Sequence, residues 1–159
     1  MMGDSETGLH LLRSGIDLIE STGSRFLFSW LYGCLAECHA LAGNAEEAVI
    51  AAEKCLDVRY FGDRWKEQQA CRALALAAAL EPHPDWEQID GHIAESLRLA
   101  EGKNARPDLA ITCFRYATLL RDKGDRNQAQ DSLQRATDLF QEMDMTWWLR
   151  EAKTWLAER

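Results

Sequence analysis

Apolar residues recur at helical spacing along almost the whole chain, and four stretches share one pattern without internal gaps. They run from Asp4 to Leu18 (DSETGLHLLRSGIDL), Asn44 to Val58 (NAEEAVIAAEKCLDV), Asp85 to Leu99 (DWEQIDGHIAESLRL) and Asp125 to Leu139 (DRNQAQDSLQRATDL). Their first residues lie 40, 41 and 40 positions apart. Each opens on Asp or Asn, whose short side chain caps the free N–H groups of a helix start, and each continues as an amphipathic helix. The fifth position holds Gly8, Ala48, Ile89 or Ala129, the ninth Leu12, Ala52, Ile93 or Leu133, and the twelfth Gly15, Cys55, Ser96 or Ala136. These positions share one face, and small residues there predict a closely approaching neighbour helix in every repeat.

The segments between these windows read as helices too, built around Ala36, Ala73, Ala117 and Ala152. Gly43-Asn44 and Gly124-Asp125 place a glycine at one helix end and a cap at the next start, which predicts antiparallel pairs joined by short turns. The prolines of Glu81-Pro82-His83-Pro84 lengthen the corresponding turn of the middle pair. Eight helices are expected, over 5–20, 25–42, 45–59, 64–80, 86–101, 107–123, 126–142 and 146–158. The helix at 5–20 is of the second type without its first-type partner, and that at 146–158 is of the first type without its second. Such open ends are capped by polar residues, by further segments or by another subunit. Leu9, Leu12, Ile16 and Ile19 at one end, and Trp147, Trp148, Trp155 and Leu156 at the other, are the candidate terminal interface, with homodimerisation as its expected use.

A helix pair with alanine at its eighth position, glycine at its fifteenth, alanine at its twentieth and a small residue at its twenty-seventh resembles the tetratricopeptide repeat. Ala36, Gly43, Ala48 and Cys55 fill those places once, and Ala117, Gly124, Ala129 and Ala136 fill them again. The middle pair keeps Ala73 and Ser96 but departs at Ile89 and at the proline insertion. The period near forty exceeds the family's usual length of about 34, and no proline closes the second helix, so a HEAT-like pairing is the alternative. More narrowly, NARPDLA at 104–110, LLRDKGD at 119–125 and MDMTWWL at 143–149 look like the C-terminal arrays of large bacterial proteins. In those proteins a class III nucleotide cyclase or transcriptional regulator is joined to a signalling ATPase module; neither module's motifs occur here.

The resemblance implies an all-α fold: an α-solenoid of antiparallel helix pairs in a right-handed superhelix, one domain over 1–159 with pairs at about 25–60, 64–101 and 107–142. It also implies a non-catalytic module that binds a protein or peptide, as the regulatory or sensor part of a bacterial signalling protein. In the family, first helices line a concave groove. Carried over, that groove comprises Trp30, Gly33, Cys34, Glu37 and Ala40, then Glu67, Ala70, Cys71, Leu74 and Ala77, then Ile111, Phe114, Arg115, Thr118 and Arg121. The Lys and Asn positions of the family's carboxylate clamp are filled by Gly33, Glu37, Ala70, Leu74, Phe114 and Thr118, which disfavours that ligand, while Arg115 and Arg121 suit an acidic segment.

Composition narrows the function further. Of 159 residues, 47% are hydrophobic and 28% charged, enough to bury a core. Acidic side chains number 26 against 18 basic, for a net charge of -8, so no nucleic-acid or anionic-membrane surface is expected. The segment Met1 to Glu6 lacks the basic-then-apolar form of a signal peptide, and the expected location is cytoplasmic. Cys34, Cys38, Cys55, Cys71 and Cys113 form an odd set without a CxxC pair and read as reduced thiols.

Candidate chemistry is sparse. Gly102-Lys103-Asn104 lacks the remaining residues of a P-loop. Cys34 and Cys38 sit one turn apart beside His39, but no second ligand pair accompanies them, and buried thiols are the simpler reading. His92 with Asp90 and Glu95 reads as a solvated group, and the acids at Glu46, Glu47, Asp85 and Glu87 as first-turn charges meeting the helix dipole. No cofactor, metal or catalytic site is expected. Trp147 and Trp148 are adjacent and therefore diverge by about 100°, so one can enter the core while the other faces a partner.

Overall fold

The computed structural model describes residues 5–23, 27–57 and 66–157. Among them are eight α-helices and no β-strand: α1 (Ser5–Ser21), α2 (Phe28–Leu41), α3 (Ala45–Asp57), α4 (Glu67–Ala78), α5 (Trp86–Gly102), α6 (Arg106–Lys123), α7 (Arg126–Glu142) and α8 (Thr146–Ala157). All eight expected helices are present, with ends within three residues of expectation. Expected helical positions 25, 26, 58, 59, 64, 65 and 158, and Asp4 at the head of the first window, lie outside the described residues. No helix of the described residues is long and apolar enough to cross a membrane.

Two compact units form, Met1–Ser96 and Leu97–Arg159, with the boundary inside α5. In the first, α2 packs against α3 and α4, α3 packs against α4, and α1 packs against α2. Its core joins Leu9 and Ile16 of α1 to Phe28, Leu31, Tyr32, Leu35 and Ala36 of α2, Ala51, Ala52 and Cys55 of α3, and Ala70 and Ala73 of α4. In the second, α6 packs against α7 and α7 against α8. Ala110, Cys113, Phe114, Ala117, Leu133, Ala136, Phe140 and Ala152 form its core. Each unit thus contains an antiparallel hairpin followed by a helix of the first type.

One turn recurs. At α2–α3, α5–α6, α6–α7 and α7–α8 a residue one or two places past the helix is left-handed: Gly43 (φ 83), Asn104 (φ 52), Gly124 (φ 91) and Asp144 (φ 53). Its N–H reaches back three residues, while the next N–H reaches back five, to His39, Ala100, Leu120 and Phe140 carbonyls at 2.8–2.9 Å. This pairing is the Schellman arrangement, which satisfies carbonyls that the helix end would leave open. The glycines at 43 and 124 were legible as stops. At the α5–α6 turn the left-handed place belongs to Asn104, not Gly102, and an asparagine or aspartate accepts that conformation at modest cost.

The capping expectation holds at two starts. Asp85 Oδ1 accepts from the N–H groups of Glu87 (3.0 Å) and Gln88 (3.2 Å). Asp125 accepts from the Gln128 N–H at 3.1 Å and from the Gln128 side-chain amide at 2.6 Å. Asn44 differs, with its side-chain nitrogen 3.4 Å from His39 Nδ1.

The small-residue column is buried in three windows. Ala36, Ala48, Ala73, Ala117, Ala129, Ala136 and Ala152 are each at most 1% exposed, and Ile89, Ser96 and Cys55 at most 3%. The polar members also hydrogen-bond across the pair: Cys55 Sγ donates to the Ser29 carbonyl (3.0 Å) and Ser96 Oγ to that of Gln68 (2.6 Å). One expectation is corrected: a Cβ built on Gly8 or Gly15 would meet nothing within 4 Å, so among the described residues no neighbour approaches the column in the first window.

Candidate partner-binding faces

In the first unit, the expected groove residues lie on α2 and α4. Close approach decides their fate: a Cβ on Gly33 would stand 3.3 Å from Gln69 Oε1 and 3.4 Å from Lys66 Cβ. Charged side chains at such a contact lose water and must find partners within the protein. Arg72, 1% exposed, donates through Nε to Glu37 Oε1 (3.1 Å) and through an Nη to Glu37 Oε2 (2.7 Å), while Gln69 Nε2 donates to the same Oε2 (3.1 Å). Gln69 Nε2 also lies 3.7 Å from Cys34 Sγ.

Glu37, expected in an open groove, is therefore one arm of a buried bidentate ion pair holding α2 to α4. Glu67 is buried as well, and Leu74 is partly buried against the core. Cys34 is half-buried, and burial pushes its thiol above the usual range, so it is not a ready thiolate. Of the groove residues expected on these two helices, Trp30 alone is exposed, at 45%. Arg72 and Gln69 were missed because their partners are remote in sequence; the one hint was charge on a helix otherwise rich in alanine.

In the second unit, α6 and α8 meet through arginine and aromatic side chains. Phe114, expected in the groove, is buried: its ring stands edge-on to Phe140 (6.2 Å between centroids) and to Trp148 (5.7 Å). Trp148 stacks on Phe140 at 5.5 Å and 17°. The guanidinium of half-buried Arg115 lies 5.4 Å from the Trp148 ring centre, and that of exposed Arg121 lies 4.9 Å from that of Trp155. Thr118, between them on α6, donates its hydroxyl to the Arg115 carbonyl at 2.6 Å. Ile111 is half-buried beside this core. Trp147 stands edge-on to Trp148 and is 52% exposed, so the adjacent tryptophans diverge as their spacing demands. Trp155 Nε1 is buried and finds no hydrogen-bond partner among the described residues.

The terminal candidates divide. Leu9 and Ile16 are not open: α1 rests on α2 through these residues, with Leu12 and Ile19 half-buried beside them. The exposed large apolar residues of α1 are instead Leu11 and Leu18. The side chain of Leu156 lies outside what is described.

The remaining candidate chemistry is dispersed. Among the described residues no three His, Cys, Asp or Glu side chains are grouped as metal ligands would be. His39 is buried with Arg13 3.4 Å from Nε2 and Asn44 3.4 Å from Nδ1. Burial, then the Arg13 charge, lowers its pKa. Burial likewise lowers that of His92. No protein-family model matches the chain, and no curated protein matches it either, so its function has to be argued from its own helices.

Proposed function

We propose that this chain is a non-catalytic helical-repeat module of the tetratricopeptide type, a solenoid that binds a protein or peptide within a bacterial, cytoplasmic signalling polypeptide. The recognising face is the α6–α8 surface of the second unit, and its ligand is an acidic segment carrying an apolar or aromatic residue. One observation carries this reading: Arg115 and Arg121 lie over Trp148 and Trp155, beside exposed Trp147. A guanidinium held over an indole is a cation already fixed in place, so less side-chain freedom is lost when an acidic ligand docks. Trp147 supplies the kind of large, rigid anchor that dominates interface energies.

The test is selection of acidic and basic peptides from a display library, followed by affinity measurement on the wild type, Arg121→Glu and Trp147→Ala. A charge-assisted hydrogen bond contributes about 1.5–3 kcal/mol, so Arg121→Glu should weaken an acidic binder by about ten- to a hundredfold with the helical circular dichroism unchanged. Enrichment of basic peptides, or acidic binders indifferent to both substitutions, would overturn the reading.

A further inference from the structure

The fifth- and twelfth-position column is covered by a neighbouring helix in every window except that of α1. Ala48 with Cys55, Ile89 with Ser96, and Ala129 with Ala136 are buried, whereas a Cβ on half-buried Gly8 or Gly15 would meet nothing within 4 Å among the described residues. Leu11 and Leu18 flank those glycines and are 64% and 66% exposed. Gly8, Leu11, Gly15 and Leu18 follow one another at intervals of three, four and three residues, the spacing of a heptad seam. Exposed Thr7, Ser14 and Ser21 border the seam without charge. Two of the charged residues of α1 turn toward α2 instead: Glu20 accepts from the Tyr32 hydroxyl, and Arg13 lies beside His39.

We propose that this seam pairs with the same seam of a second copy of the chain, the two α1 helices running antiparallel about a two-fold axis level with residue 13. In that register Leu11 of each copy lies over Gly15 of the other, and Leu18 over Gly8, so every large side chain enters a glycine gap. A parallel neighbour would instead set leucine against leucine and leave the gaps empty. The seam is thus complementary to its own reverse, the requirement of an isologous interface. Glycine at alternate layers lets the two backbones come closer than the usual 8–10 Å between packed helices.

Sedimentation velocity of the full chain from about 5 μM to about 500 μM tests this, a range that spans the affinity expected of a small interface. The wild type should pass from monomer to dimer, and Leu11→Asp with Leu18→Asp should stay monomeric with unchanged circular dichroism. Gly8→Ala with Gly15→Ala separates the proposal from a helix-stability effect. Alanine raises the melting temperature of the monomer, yet it fills the gaps and should weaken dimerisation at least tenfold, about 1.4 kcal/mol. A wild type that stays monomeric overturns the proposal and leaves the seam to a helix of another protein. A dimer undiminished in either double variant overturns it by placing the interface elsewhere.

Discussion

Replacing one partner of the Glu37–Arg72 pair tests the packing of α2 on α4 most directly. The pair is bidentate, Arg72 is almost fully enclosed, and Gln69 uses one of the two carboxylate oxygens. Arg72→Met removes the guanidinium that neutralises a largely buried carboxylate, and Glu37→Leu removes the carboxylate that neutralises a buried guanidinium. Breaking a buried pair in this way costs about 3–5 kcal/mol, whereas an exposed pair contributes about 0–1 kcal/mol. For a chain of this length each kcal/mol moves Tm by about 2–4 °C, so either single variant should melt about 6–20 °C below the wild type. The double variant replaces both charges by apolar side chains of similar length and should recover most of that loss. Urea unfolding of all four proteins by circular dichroism gives the coupling energy, expected to be at least about 2 kcal/mol. Single variants that each lose less than about 1 kcal/mol, or losses that simply add, would refute the claim that desolvation sets the energetics of this contact.

Three further outcomes follow from the turns, the caps and His39. Gly124→Ala forces a side chain into the left-handed place and should cost about 1–2 kcal/mol, while Asp144→Gly at the equivalent turn should gain a few tenths to about 1 kcal/mol; equal signs in urea unfolding would contradict the shared turn geometry. Asp125→Ala removes the cap of α7 and should cost about 1 kcal/mol, with Asp125→Asn or Asp125→Ser restoring most of it in the same assay. The pKa of His39 is lowered in the fold, so the unfolded chain takes up the proton first and stability falls as pH drops through about 6.5. Against His39→Gln, the wild type's advantage in urea midpoint should therefore shrink between pH 7.5 and pH 5.5, and a constant gap would refute the assignment.

Much of the fold was legible in the chain because its signals are local. Helical periodicity, the glycines at 43 and 124 and the capping acids at 85 and 125 each act within a few residues, and all are realised. The alanine columns also told which faces meet. What stayed hidden depends on relations between distant residues. Glu37 looked like a groove residue because nothing near it in sequence announces Arg72, 35 positions later. Phe114 was misplaced for a similar reason: its burial depends on Phe140 and Trp148, which arrive from two other helices. The α1 glycines misled in another way, since a small residue permits a close neighbour without requiring one. Asn104 and Asp144 escaped because their residue types also suit caps and exposed turns, so their left-handed role shows only in the backbone.

The recurring turn also bears on how the chain reaches its folded form. In the second unit each helix meets the one that follows it, across a reversal of a few residues, so the first productive encounters join segments that leave the ribosome almost together. Closing such short loops takes little entropy, and proteins dominated by near-sequence encounters fold within microseconds to milliseconds. The pair formed by α6 and α7 can therefore nucleate before α8 is complete, with Trp148 arriving last as a natural fluorescent reporter of the final docking step.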